Sequence, residues 1–395
     1  MIYADNAATT KISGAAKDKM MEGMDHLWGN PSSLYAFGQE AKTALEEARE
    51  AVANSLGASA GEVYFTSGGS EADNQAIISA AAAGERKGKK HIVSTKFEHH
   101  AVLHTLKQLE KRGFTVTLLD VHENGLVRPE EVRAAIRTDT AFVSVMFANN
   151  EIGTIQPISE IGRICREKGV LFHTDAVQAV GHVPVDVEKM NIDLLALSAH
   201  KFHGPRGVGA LYARRGVALT NLIEGGAQEK GRRAGTENLP AVMGMAEALR
   251  ESCGRMDENA VYVAELRDRL IRGLAEIPHS ALNGDWEKRL PGNVSFCFEG
   301  IEGEALLLLL DAKGVAASSG SACTSGSLDP SHVLLAIGRP HEIAHGSLRL
   351  SLSAENTEWE VDEIIAAVKE TVEYLRNMSP VWYALQKGEK EYVIQ

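Results

Sequence analysis

The chain has 395 residues, a net charge of -12, 44% hydrophobic and 24% charged residues, the makeup of an ordinary globular protein with one large domain or two smaller ones. The acidic balance argues against broad binding to nucleic acid or to an anionic membrane, and apolar runs such as 305–310 are far too short to span a bilayer. The first six residues have neither the basic region nor the apolar stretch of a secretory leader, and Cys165, Cys253, Cys297 and Cys323 form no C-x-x-C pair, so reduced thiols in a cytoplasmic setting are expected.

Residues 1–14 read as an extended arm. Helical patterning follows over 15–28 and 38–56, split by the loop Gly29-Asn30-Pro31-Ser32-Ser33. Seven short β-rich runs come next, at 63–65, 91–93, 116–118, 142–145, 170–172, 194–197 and 209–212. Helical segments such as 70–83, 101–112 and 158–168 lie between most of them. This alternation predicts an α/β fold whose mainly parallel sheet is covered on both faces, with ligands at the carboxyl ends of its strands. A long helical stretch, 239–277, leads to a second, smaller α/β unit with strands at 293–298 and 347–351 and helices at 303–313 and 358–376. The polar tail, 386–395, is expected to be mobile.

Five stretches carry chemistry. In Thr66-Ser67-Gly68-Gly69-Ser70-Glu71, two glycines let the chain curl and Ser70 can cap the helix that follows, which suits a phosphate but also an ordinary capped turn. Phe97-Glu98-His99-His100 places imidazoles after the next strand, where one could stack on a planar ring or shuttle protons. His100 and His104 are four apart, but no third zinc ligand is apparent. Asp175, in Phe172-His173-Thr174-Asp175-Ala176-Val177-Gln178, ends a strand and needs a satisfied turn or a cationic partner such as the ring nitrogen of pyridoxal phosphate. In Ser198-Ala199-His200-Lys201-Phe202-His203-Gly204-Pro205, Lys201 stands between a strand end and a rigid turn. It either opens a surface loop or is desolvated into a usable amine nucleophile and base. Cys323 lies in a run of small polar residues, 317–327, expected to form a mobile loop. It is either incidental or a thiol free to travel.

Taken in order, Asp-x-x-Gln, Ser-x-His-Lys and Ser-Ser-Gly-Ser-Ala-Cys resemble the motifs of cysteine desulfurases of the NifS/IscS type, a class V aminotransferase-like branch of the fold-type I pyridoxal-phosphate enzymes. The likeness extends from Tyr3-Ala4-Asp5-Asn6 through Asn149-Asn150-Glu151-Ile152-Gly153 and Arg233-Ala234-Gly235-Thr236-Glu237-Asn238 to Arg349. It implies a large cofactor-binding domain over 15–255 and a small domain made of 1–14 and 256–395.

By the same resemblance, Lys201 carries pyridoxal 5'-phosphate as a Schiff base, His99 stacks on its ring, Asp175 pairs with the ring nitrogen and Gln178 contacts the phenolic oxygen. Gly69, Ser70, Ser198 and His200 bind the phosphate, and Thr236 reaches in from the other subunit of a homodimer. Asn150 and Arg349 hold the carboxylate of L-cysteine. Cys323 accepts the sulfur as a persulfide, could transiently ligate an iron–sulfur cluster, and hands the sulfur to an iron–sulfur scaffold or a tRNA-thiolation enzyme. Ser70 stands where many relatives have threonine, and His100 where some have lysine. A selenocysteine lyase or another class V lyase or transaminase is the alternative enzyme. A catalytically silent assembly scaffold is the alternative of a different kind.

Overall fold

The computed structural model describes residues 1–320 and 330–394. The arm contains β1 (Ile2–Tyr3), and Ser13 then starts α1 (Gly14–His26) by accepting the Ala16 N–H. α2 (Ala36–Leu56) stops at Gly57, whose φ of +68° favours glycine. The alternating part comprises β2 (Val63–Thr66), α3 (Gly69–Glu85), β3 (His91–Thr95), α4 (His100–Glu110), β4 (Thr115–Leu119), α5 (Pro129–Ala135), β5 (Thr140–Ser144), α6 (Ile158–Lys168), β6 (Leu171–Asp175), β7 (Leu194–Ser198) and β8 (Gly209–Ala213). A short α7 (Gln228–Gly231) precedes α8 (Leu239–Gly254) and α9 (Met256–Ala275), so the predicted long helix is broken at Arg255. The remainder is β9 (Ser280–Leu282), β10 (Asn293–Phe298), α10 (Gly303–Ala312), β11 (Val315–Ala316), α11 (His332–Ala336), α12 (His341–Ala344), β12 (Ser347–Ser351), α13 (Glu358–Met378) and α14 (Pro380–Gln386).

All seven predicted strands form one sheet in the order β2-β8-β7-β6-β5-β3-β4. Only β8 runs against its neighbours, which leaves β2 pointing the same way as β7. Alternate residues of the central strands enter two different cores. Val143, Phe172, Leu195 and Leu197 face the larger one, while Phe142, Leu194 and Ala196 pack with Ala72, Ala76 and Ala80 of α3. Burial on both faces is why these strands read as continuous apolar runs.

A second, antiparallel sheet, β12-β10-β9, packs against α9, α10 and α13 around a separate apolar cluster. The arm belongs to that cluster. β1 pairs in parallel with β11, Ile2 and Ala4 are buried there, and the Ser351 N–H donates to the Ala4 carbonyl at 2.7 Å.

The tail departs from expectation. The Val393 and Ile394 N–H groups donate to the Glu299 carboxylate at 2.9 and 3.0 Å, and Tyr392 stacks on His279 with ring centres 3.7 Å apart. Two backbone donors and one aromatic ring dock a segment whose polar composition concealed them.

Candidate active site

β2, β3, β6 and β7 all point the same way, so the segments leaving their carboxyl ends share one edge of the sheet. Gly68–Ser70, His99, Asp175, Ser198 and Lys201 all stand there.

Gly68, at φ +151°, turns the chain from β2 into α3. A Cβ on Gly69 would lie 2.6 Å from Val177 Cγ2 and 3.6 Å from Ser198 Cβ. Only a glycine lets the helix start come this close to the β6 turn and the β7 end. The resulting N-terminus presents unbonded backbone N–H groups and the positive end of a 17-residue helix. Ser70 does not cap that helix as expected. It is the second helical residue, and the cap position is Gly68. Glu71 serves the loop instead, accepting the Ser67 N–H at 2.8 Å and the Arg233 guanidinium at 2.9 Å. That ion pair brings the loop carrying the exposed Thr236 to the start of α3. Ser70 and His99 line a common cleft of about 480 Å³ with Asn74, His100 and His104.

Lys201 ends a single helical turn, Ala199–Lys201, and the N–H of the Gly204 that follows closes on the Ala199 carbonyl at 2.9 Å. The Lys201 Nζ donates to the Ala7 and Ala8 carbonyls, both at 2.7 Å. Gln178 Nε2 donates to the same Ala7 carbonyl at 2.9 Å, so the arm draws Lys201 and Gln178 together. The His200 carbonyl accepts the Thr10 N–H, and its ring Nδ1 lies 3.2 Å from Thr9 Oγ1. Burial, then the nearby Lys201 and Arg206 charges, pull this histidine down to about 4, so it is neutral at physiological pH.

Asp175 is buried and accepts the Val177 N–H at 2.9 Å. Burial holds its carboxyl above the ordinary carboxylate value, and His99, the Val177 N–H and Lys201 offset only part of that rise. His99 begins α4, its Nδ1 accepting the Ala101 N–H at 3.1 Å. Arg349, on β12, bonds Asp5 through Nη2 at 2.9 Å and the Asn150 carbonyl through Nη1 at 3.2 Å. Its Nε is buried without a hydrogen-bond partner among the described residues.

Thus the edge can receive an anion at the α3 terminus, oppose a cation with Asp175 and offer an amine at Lys201. Arg349 and Asn150 also meet as a pair. Cys323 lies outside the described residues. Among the described residues, no group of three or more His, Cys, Asp or Glu is arranged to hold a metal ion. Asp5 and the Ala7 and Ala8 carbonyls were missed from the sequence, because an arm without periodicity gives no register. Glu98, Asp73 and His173 were also missed, although His173, two residues before Asp175 on a strand, shares its face.

The chain matches the aminotransferase class-V family over residues 2–364. It is 54% identical over 393 residues to the cysteine desulfurase IscS of Clostridium botulinum (strain Hall), covering 99% of both chains. It is 55% identical over 380 residues to the cysteine desulfurase IscS of Methanosarcina thermophila, covering 96% of this chain and 94% of that one. Among solved structures, a NifS-like protein superposes with a TM-score of 0.89 at 39% identity, covering 95% of this chain and all of the other. SspA in complex with cysteine gives 0.80 at 34% identity, covering 90% of this chain and all of the other. Alignments this complete mean that the chain belongs to the class-V aminotransferase family and, within it, to the cysteine desulfurases.

Proposed function

We propose that the protein takes sulfur from L-cysteine with pyridoxal 5'-phosphate as cofactor, releases L-alanine and carries the sulfur as a persulfide on Cys323. The observation that carries this reading is the arrival at one sheet edge of a helix N-terminus, a buried carboxylate and a lysine amine. These fit the cofactor's phosphate, ring nitrogen and aldehyde in turn. The glycine cradle at Gly69 and the burial of Asp175 support the same assignment, since each makes room or charge for a group of that chemistry.

Gly69, Ser70, Ser198 and His200 would hold the phosphate, joined by Thr236 from a second subunit of a homodimer. Asp175 would hold the ring nitrogen, Gln178 the phenolic oxygen, His99 the ring, and Lys201 the aldehyde carbon. Bound there, the cofactor supplies an electron sink for bond cleavage at the substrate's α and β carbons. Lys201 Nζ takes the Cα proton. Arg349 and Asn150 fix the carboxylate, which orients the Cβ–S bond. The Cys323 thiolate attacks the substrate sulfur, so that an S–S bond forms as the Cβ–S bond breaks. The bonding pair stays with carbon, which is protonated and leaves as alanine. An acceptor thiol, on an iron–sulfur scaffold or a tRNA-thiolation enzyme, then takes the sulfur from Cys323. Buried or half-buried free thiols at Cys165, Cys253 and Cys297 support a reducing, cytoplasmic setting.

Absorbance and product analysis test this reading. The purified protein is expected to carry the cofactor's visible absorbance and Lys201→Ala to lose it. Cys323→Ala is expected to keep the colour but lose alanine and sulfide formation. Sulfide release by Cys323→Ala at the native rate would remove Cys323 from the reaction.

A further inference from the structure

Asp175 shares its surroundings with two other buried carboxyl groups. His173 and Asp175 leave the same face of β6, the face covered by α3. His173 Nδ1 lies 2.9 Å from Ser144 Oγ on the neighbouring strand, and its Nε2 lies 3.3 Å from Asp73 Oδ1 on α3. Glu98, on the loop after β3, accepts the Thr95 hydroxyl at 2.7 Å and the Met146 N–H at 2.9 Å, both at Oε1. Asp73, Glu98 and His173 are each at most 1% exposed. Among the described residues, Asp73 Oδ1, His173 Nε2 and Glu98 Oε2 find no hydrogen-bond partner.

Cations are not shared evenly among the three acids. Lys201 acts on Asp175, beside the imidazole of His99. The charged neighbours acting on Asp73 are Asp175 and Glu98, both acidic. Glu98 in turn feels Asp175. Burial drives His173 down to about 3, so its imidazole is neutral and supplies no countercharge. Several carboxylates cannot stay ionised together in a dry chamber with cations at only one of them. Burial and this repulsion raise Asp73 well above the carboxylate range, and burial takes Glu98 up to about 8.

We propose that Asp73 and Glu98 are positioning acids that keep their protons, reserving the negative charge of the chamber for Asp175. A proton on Asp73 would face His173 Nε2 as acceptor, fixing the tautomer in which Nδ1–H donates to Ser144 Oγ. The proton of Glu98 belongs on Oε2, because Oε1 already accepts two donors. An anionic Asp175 is what a protonated ring nitrogen requires, and to that extent the proposal rests on the cofactor reading above.

Infrared spectra of the full-length protein at neutral pH, with its cofactor and after its removal, separate carboxylic acids from carboxylates. The wild type is expected to show carboxylic-acid bands, of which Asp73→Asn and Glu98→Gln each remove a distinct part. A wild-type spectrum without such bands, or variants that leave them unchanged, overturns the proposal. The absence of such bands from the wild-type spectrum overturns the proposal even if one variant fails to fold, and the other variant then carries the assignment. In the loaded protein both substitutions exchange one neutral group for another. The pH midpoint of the cofactor's absorbance should therefore stay within about twofold in proton concentration, whereas a shift of about tenfold or more would mean that an ion had been removed. Should the protein bind no cofactor at all, the proposed function fails, while the infrared bands still report where the protons are.

Discussion

Arg349 is gripped by Asp5 at Nη2 and by the Asn150 carbonyl at Nη1, and its remaining edge carries a buried Nε–H without a partner among the described residues. Such a guanidinium is already oriented, and a substrate carboxylate would complete its hydrogen bonding. Arg349→Lys keeps a countercharge for Asp5 but loses the planar fork. Steady-state kinetics should show KM for L-cysteine raised about tenfold or more, with a much smaller change in kcat, as expected for lost ground-state binding. A lower kcat at unchanged KM would place Arg349 in the chemical step instead. Lys201 and Asp175 were legible in the sequence because each follows an apolar run that had to be a strand. Asp5 was not, since its partner lies 344 positions away and nothing in the arm announces it.

At the scale of elements, α7 holds an unusual conformation for a purpose. Glu229 has a φ of +48°, in the left-handed region that side chains rarely adopt. The turn aims its carboxylate at Arg49 of α2, with Nη1 and Nη2 at 2.6 and 2.8 Å, and at the Phe65 N–H of β2 at 2.8 Å. Both side chains are 2% exposed. Glu229→Gln leaves the buried Arg49 with only the half-exposed Glu46 as countercharge, 3.2 Å from Nε, and should cost about 3 kcal/mol in urea unfolding. Because β2 leads directly into Gly68–Ser70, the same variant should bind pyridoxal phosphate more weakly.

Apart from the edge strand β4, whose residues are exposed or half-buried, the strands of the large sheet could be read locally because both their faces are largely buried. Their spatial order could not, since crossovers rather than residue patterns decide which strands pair. Short pieces such as β9, β11, α11 and α12 carry too few residues to show a period. Their positions come from the tertiary contacts they make.

For the whole molecule, buried histidines and buried acids shape the pH dependence of stability in opposite senses. His173 and His200, held near 3 and 4, resist protonation in the folded state, so their contribution declines as pH falls below roughly 6.5, the unfolded value. Glu98 and Glu151, raised to about 8 and about 7 by burial, bind protons more tightly when folded, and their contribution declines as pH rises from roughly 4.3 through those values. Between pH 6.5 and 8 the acids act without the histidines. The urea midpoint of the wild type should therefore fall across that interval, and Glu98→Gln should flatten the fall. An equally steep decline in the variant would show that Glu98 is ionised throughout.

The arm also has a consequence for biosynthesis. Residues 1–10 leave the ribosome well before their partners, which include the Lys201 amine, the Ala316 carbonyl and the backbone and hydroxyl of Ser351. The sheet edge can fold behind the growing chain, but the carbonyls that orient Lys201 cannot be anchored until Ser351 has been made. The arm, made before the sheet it joins, thus finds its place late, and completion of the lysine's surroundings waits until translation has passed β12.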